Sequence, residues 1–427
     1  MISKDSKIFL FILFLYTLMS KSEKTKIAIQ KIQHDDIHTA VFKALELIHA
    51  KNLFKKPNLS VLLKPNILMS KEPEGAVVTH PEIVRTVIQW VKQFEPKKII
   101  IAESSGTTNR GATERAFIGS GIKSVAEDEE VEWIPFDQTN RKIYQVKDPL
   151  ILDKIASSQL IEEVDIIINI PKLKTHSQCI LTCSIKNMFG TLILGNKPKT
   201  HAKFPKYEDF SAALADIYSI SKPQLTVVDG YLCQEGNGPT RGDVVKMDLI
   251  LTGYDPVALD TVACEIIGFN PEEVLYINKA AEKGLGTKNL DKIEILGENI
   301  KDVYRKFERP KIKPISVPLP RWLADYVGDV IFRASIKFNP SKCKLCSTCW
   351  ENCPVNAISP PEILRKGNIP IWDKNKCIFC YCCAELCPHE AVDFRINYIR
   401  NFFTSKLGII FSAFIITIVV ILILILL

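Results

Sequence analysis

Two copies of one cysteine spacing constrain this chain more than any other feature. Cys343-Lys-Leu-Cys346-Ser-Thr-Cys349-Trp-Glu-Asn-Cys353-Pro354 is followed by Cys377-Ile-Phe-Cys380-Tyr-Cys-Cys383-Ala-Glu-Leu-Cys387-Pro388. Each reads C-x2-C-x2-C-x3-C-P, the run that wraps a [4Fe–4S] cube, its fourth cysteine reaching across to a second cube. The spacing therefore assigns Cys343, Cys346, Cys349 and Cys387 to one cube, and Cys377, Cys380, Cys383 and Cys353 to the other. Zinc takes four ligands around one ion rather than two interlocked sets. The odd total of 13 cysteines argues against a disulfide framework, as does the irregular spacing of the other five, Cys179, Cys183, Cys233, Cys264 and Cys382. Both points indicate a reducing compartment. The chemistry implied is one-electron transfer.

The two ends of the chain are apolar. Leu407 to Leu427 holds no charge and no proline and is polar only at Ser412 and Thr417. As a helix it would be roughly 31 Å long, which matches a hydrocarbon core of about 30 Å. It reads as a transmembrane helix inserted in the lipid bilayer. Arg395, Arg400 and Lys406 in the basic segment 395–406 place the soluble body in the cytoplasm, so the expected topology is single-pass and tail-anchored. Residues 1–25 carry an apolar run, Ile8 to Met19, behind Lys4 and Lys7. Three readings compete for it: a membrane-associated helix, a signal peptide without an evident cleavage site, or a start misplaced ahead of Met19.

Between the ends, 47% hydrophobic content over 427 residues supports more than one core. The net charge of +7 is modest and its signs are interleaved, which leaves no basic stripe for nucleic acid. Residues 26–305 alternate short β-branched runs with amphipathic stretches. Ile27–Gln30, Ser60–Leu63, Lys98–Ala102, Ile166–Ile170, Thr226–Val228, Leu249–Leu251 and Ile293–Leu296 read as strands. Ile37–His49 and Glu82–Phe94 read as helices, the second opened by a capping box at Thr79-His-Pro-Glu82. The pattern predicts an α/β domain with a mainly parallel sheet. A proline-rich linker (306–335) then leads to a small α+β module (336–394).

Ligands of such sheets gather at the carboxyl ends of the strands, and four loops there are candidates. Ser104, Ser105 and Gly106 follow a strand and suit a phosphate or carboxylate, if they are not an ordinary turn. Pro171 to Lys206 holds Lys172, Lys174, Lys186, Lys197, Lys199, Lys203, Lys206, His176 and His201, with no acid. Solvated faces normally mix signs, so this stretch predicts a site for an anionic small molecule. Lys174, His176, Lys186 and His201 are its candidate catalytic groups. Asp229 at a strand end, Asp255 before Pro256 and Asp260 one turn on are candidates for polar contacts to a cofactor or for a metal, although Asp255 also suits a helix cap. Cys179 and Cys183 would share a face if helical and read as small buried hydrophobes, and Cys382 reads as a bystander.

These loops resemble the domain-of-unknown-function family 362, which is often fused to a two-cluster bacterial-type ferredoxin. The resemblance rests on Lys64-Pro-Asn66, Thr79-His80-Pro81, Pro171-Lys-Leu-Lys174-Thr-His176, Lys186-Asn187-Met-Phe-Gly190, His201, Asp229-Gly230, Gly238-Pro, Asp255 and Asp260. It implies an α/β fold and no established activity. His176, Lys186 and His201 are also similar in order and spacing to the lysine-and-histidine set of the nickel-pincer lactate racemase family, without the rest of that pattern. Three functions are expectations at this point. The first is a membrane-anchored iron–sulfur oxidoreductase served by a redox partner protein. The second is a non-enzymatic carrier or scaffold, and the third an isomerase-like enzyme with structural clusters.

Overall fold

The computed structural model describes residues 24–107, 109–193, 195–310 and 334–396. The apolar runs Ile8–Met19 and Leu407–Leu427 and most of the proline-rich linker lie outside these residues. Among the described residues no helix is long and apolar enough to cross a membrane.

All seven expected strands are present; Ile166–Ile170 has the expected bounds and the other six are extended by one to several residues. Across the ten-stranded sheet the order runs Ile293–Gly297, Thr25–Lys31, Asp243–Gly253, Leu225–Glu235, Ile166–Ile170, Ser60–Pro65, Lys98–Glu103 and Glu132–Pro135. Only Asp243–Gly253 runs against its neighbours on this path; the other pairings are parallel. Lys172–His176 pairs beside the outer half of Leu225–Glu235, and Ile180–Thr182 folds back on it antiparallel. These two short strands, Glu132–Pro135, and a separate hairpin of Arg141–Gln145 with Lys154–Ser158 are absent from the periodicity reading.

Side chains alternate across the sheet because a strand's period is two. Ile27, Ile29, Leu62, Ile100 and Ile167 enter one core, together with helices Tyr207–Ile220, Pro256–Ile266 and Leu275–Glu282. Ala28, Val61, Leu63, Ile99, Ile101 and Ile168 enter the opposite core, under helices Ile37–Leu47 and Pro81–Lys92. Both faces of the sheet are thus covered, which explains why its central strands are continuous Ile and Val runs.

The expected capping box at Thr79 does not form. His80 is the cap, its Nδ1 accepting from the Glu82 N–H at 3.3 Å. The Thr79 hydroxyl is buried at the end of a neighbouring strand, donating to Ile170 O (2.7 Å) and accepting from Asn66 N–H (2.8 Å). A long-range contact has claimed the group that local spacing assigned to the helix.

The cysteine module is built on a strand pair, Ala334–Phe338 with Val392–Ile396, enclosing two short helices, Thr348–Glu351 and Cys382–Glu385. It begins ahead of the boundary read at 336. The preceding chain also leaves the α/β domain later than 305: Phe307 is buried and donates its N–H to Ile267 O at 3.0 Å.

Candidate functional site

Three parallel strands deliver their carboxyl ends to one place. Ser60–Pro65 runs into Asn66, Lys98–Glu103 into Ser104, and Ile166–Ile170 into Lys172–His176. The chain winds outward from Ser60–Pro65 on one side, then returns on the other at Ile166–Ile170. Such a reversal leaves a crevice, and a cavity opens there. All four candidate catalytic groups, Lys174, His176, Lys186 and His201, line it.

A buried polar scaffold shapes its floor. Lys64 and Glu103 form an ion pair of 2.5 Å with side-chain exposures of 0% and 3%. Glu103 also accepts from Ser104 N–H at 2.8 Å. Asn66 and Asn169 are bridged by Asn187 at 2.9 and 2.7 Å. Gly190 passes so close that a Cβ there would collide with both Glu103 and Lys64. Loss of the aqueous shell outweighs the attraction of Glu103 and lowers the Lys64 pKa.

The basic stretch is not one surface. Lys172 is fully buried against Asp229 at 2.7 Å, and Lys199, Lys203 and Lys206 are exposed. Lys174 is buried and donates to Val77 O at 2.5 Å and Asn66 Oδ1 at 3.1 Å. Burial first, then the charges of Lys186 and Lys172, hold its pKa well below the lysine range. Lys197 is pushed down to about 8 by burial and is held by Ser104 O and Ser105 O. Lys186 differs: its ammonium lies 5.9 Å from the Phe189 ring centre and has no hydrogen-bond or ion-pair partner among the described residues.

Both histidines are neutral. His176 Nδ1 accepts from the backbone N–H of Gln178 (3.1 Å) and Cys179 (3.3 Å), which leaves its proton on Nε2. Burial, with Lys186, His201 and Lys174 adding to it, puts its pKa well below the ordinary value. His201 stacks on Phe210 with centroids 4.4 Å apart; burial and Lys186 push it down to about 3. Its Nδ1 and the Thr182 hydroxyl are buried without a partner. Unpaired buried polar atoms are costly, so these two atoms and Lys186 mark where a polar ligand would be satisfied.

One wall of the cavity comes from the cysteine module: Cys382, Glu385 and Leu386 line it, with Asn352. Glu385 Oε1 stands 3.7 Å from His176 Nε2 and has no hydrogen-bond partner. Burial raises its pKa to about 7 against the pull of Lys186 and Lys174. Leu386 packs where a Cβ on Gly106 would sit, 2.9 Å away. Asn352 Nδ2 donates to Asn109 Oδ1 at 2.7 Å, Asn109 donates to Glu351, and Arg241 donates to Val392 O. Glu385 and the Cys382 position carried no spacing signal that would point to a pocket in another domain.

The other candidate residues already have partners within the fold. The Ser104 hydroxyl donates to Gly190 O (2.9 Å) and Leu192 O (2.8 Å), and Ser105 to Thr107 O (3.1 Å). Ser104 and Gly106 nevertheless line the cavity, Gly106 where it receives Leu386. Asp229 accepts from Lys172 and from His80 N–H at 2.7 Å. Asp255 caps Pro256–Ile266 and also accepts from Thr287 N–H at 2.8 Å. Asp260 accepts from Ser184 and Ile185 N–H at 2.7 and 3.0 Å; it caps Ser184–Asn187, a helix far away in sequence that carries Lys186. None of the three aspartates lines the cavity; Asp255 and Asp260 are held by backbone donors, and Asp229 by Lys172 together with backbone N–H groups. Cys179 and Cys183 flank the strand Ile180–Thr182 and share no helix. Burial raises both thiols, Cys179 to about 12, so they are inert hydrophobes.

The eight spaced cysteines divide as their spacing requires. Cys353, Cys377, Cys380 and Cys383 line one cavity. Cys343, Cys346, Cys349 and Cys387 line another. Four thiols around one cavity suit a cube. Backbone N–H groups of Ala357 and Ala391 reach Cys353 Sγ and Cys387 Sγ at 3.1 and 3.3 Å, which stabilises thiolates. The residues present therefore fit iron–sulfur cubes.

Comparison with known proteins agrees with this geometry. Residues 61–265 match the model of a domain of unknown function, DUF362, and residues 342–391 that of a 4Fe-4S dicluster domain. A thylakoid-associated protein of Synechocystis sp. is 28% identical over 281 residues, covering 65% of this chain and 85% of that protein. The lactate racemase apoprotein of Thermoanaerobacterium thermosaccharolyticum has 14% identity and a TM-score of 0.39, covering 57% of each chain. A protein from Thermotoga maritima has 13% identity and a TM-score of 0.35, covering 60% of this chain and 59% of that one. The chain thus spans less than two thirds of these solved structures. Within this chain, an α/β domain that matches DUF362 over residues 61–265 is thus followed by a module that matches a 4Fe-4S dicluster domain over residues 342–391.

Proposed function

We propose that this protein is an iron–sulfur oxidoreductase that binds two [4Fe–4S] clusters and exchanges electrons with an anionic small molecule held in the α/β cavity. One observation carries the reading: the cavity lined by Lys174, Lys186, His176 and His201 is walled by the helix Cys382–Glu385 of the cysteine module. A carrier that used its α/β domain only as a scaffold has no need of this juxtaposition. When bound, the clusters supply one-electron transfer. The chain's own residues do the rest. Lys186, which lines the cavity and has no partner among the described residues, pairs with the anionic group. Lys174 and His176 Nε2–H supply further donors, while Thr182 and His201 accept or donate at the far side. Leu386 and Phe189 keep water out, which strengthens each of these contacts.

Substituting Lys186→Ala removes a charge-assisted contact worth about 1.5–3 kcal/mol, equivalent to roughly ten- to a hundredfold in affinity. Anaerobic purification with mass spectrometry identifies the retained molecule, and inorganic phosphate serves as a second probe. Iron content and melting temperature should stay unchanged, since Lys186 holds nothing else. Undiminished retention of the anion by this variant would falsify the pocket and favour the carrier reading.

We place the protein on a membrane through Leu407–Leu427, with its body on the side of Arg395, Arg400 and Lys406. A relative that is thylakoid-associated supports membrane association. Deleting residues 407–427 is expected to move the protein to the soluble fraction with its iron retained. If the truncated protein stays in the pellet, that segment is not the anchor.

A further inference from the structure

The two sets of cysteines face different surroundings. Cys380 and Cys383 are buried, and the chain beside them, Cys382 and Glu385, closes the α/β cavity. Cys353 of the same set lines the groove that continues from that cavity past Lys197. In the other set, Cys346 is exposed, and no residue from Phe338 to Trp350 lines the α/β cavity. Around Cys346 the surface is basic. Phe338 to Trp350 contains Lys342 and Lys344 and no acid; both lysines are exposed, and Lys344 and His389 line the cysteine cavity itself. The next acid, Glu351, is turned away to Asn109 of the α/β domain, and Asp393 is held 3.4 Å from Arg241. Glu390 is the exposed acid that follows His389, leaving the rim net positive.

We propose that Lys342 and Lys344, around the exposed Cys346, form the docking rim for a redox protein with an acidic face, a reduced one-electron carrier. Cys343, Cys346, Cys349 and Cys387 would hold the cube that takes up the one electron such a carrier gives up in each encounter. The proposal rests on the electron-transfer reading above and adds the place and charge of the partner. Electrostatic complementarity of this kind acts mainly on the association rate. The far side of the module is covered by the α/β domain, so this face is where a cysteine ligand is open to a partner. An anionic membrane surface is the competing occupant of a basic rim, but it does not account for a cube ligand being exposed at the centre of that rim.

The test uses the full chain in detergent, loaded anaerobically, and a reduced plant-type [2Fe–2S] ferredoxin as the acidic carrier. Stopped-flow bleaching follows reduction of the clusters. The double variant Lys342→Glu, Lys344→Glu should be reduced about tenfold more slowly at low salt, with the difference shrinking as ionic strength rises. Iron content, and the extent of reduction by excess dithionite, should match the unmodified chain and certify that the module is intact. As a charge control, Lys374→Glu with Lys376→Glu, exposed lysines ahead of the second cysteine run, should stay within about twofold of the unmodified chain. Equal rates for the rim variant and the unmodified chain overturn the proposal, as does equal slowing by both variants. So does no reduction of the unmodified chain by the carrier. Loss of binding to vesicles of anionic lipid with an unchanged rate assigns the rim to a membrane instead. Failure here is separable from failure of the pocket: Lys186→Ala reads anion retention, which the rim variants leave untouched.

Discussion

Replacing Cys353 with alanine is expected to halve the iron of the anaerobic protein, from about eight to about four per chain, as loss of one four-iron cube requires. The ligand removed belongs to the first cysteine run in sequence, yet the cube lost should be that of Cys377, Cys380 and Cys383, because these four thiols line one cavity. The check is electron paramagnetic resonance of the reduced protein. The resonance that survives in Cys353→Ala should be the one that disappears in Cys346→Ala. If both variants lose the same resonance, each run holds its own cube and the interlocked arrangement is wrong.

The second large effect is on stability. Glu103→Ala leaves Lys64 fully buried without its counter-charge, and breaking a buried pair from one side costs about 3–5 kcal/mol. Against a typical domain stability of about 5–15 kcal/mol, that is a large share of the total, visible as a lower denaturation midpoint. The loss should depend on pH. The Lys64 pKa is lowered in the folded state, chiefly by burial, so over the window between that lowered value and the unfolded value of about 10.4 the unfolded chain binds more protons. Stability therefore rises with pH through the window. Removing Glu103 extends the window downward, and the variant should recover part of its stability as the solution is made more alkaline. A variant as stable as the original at neutral pH would mean that the pair contributes nothing net.

The expected strands were legible because a sheet covered on both faces demands unbroken runs such as Ile166–Ile170, and those runs are visible without coordinates. Asp255 was legible as a cap for the same reason: its donors, Val257 and Ala258 N–H, lie two and three residues on. Asp260 was not, since it caps a helix that begins at Ser184. The same holds for Thr79, whose hydroxyl serves a strand that ends at Ile170. In each failure a partner distant in the chain won over a local one. The strands Lys172–His176 and Ile180–Thr182 were missed because the lysines of the first mask its alternation and the second is only three residues long.

The cavity itself was half legible. An acid-free stretch with seven lysines pointed to the correct loop, but sequence treats those lysines alike. Burial separates them: Lys172 is spent on Asp229, Lys174 on Val77 O and Asn66, and Lys186 is left for a ligand. Nothing in the spacing of Glu385 or Leu386 announces that they complete a site in another domain, because domain docking depends on shape, on the bare Cα of Gly106 and on contacts such as Asn352 with Asn109.

By itself the sequence determined what depends on short-range spacing and period: the ligand sets of the cysteine runs, the strand and helix faces, and the concentration of cations in one loop. Tertiary structure alone decided which of those cations stays free, which aspartates are spent on backbone N–H groups, and which helix of the cysteine module closes the cavity. The physical reason is that ligand spacing and amphipathic period are properties of neighbouring residues. Desolvation and the pairing of buried polar atoms are settled only when segments more than a hundred residues apart are brought within hydrogen-bond distance, as Lys174 and Asn66 are.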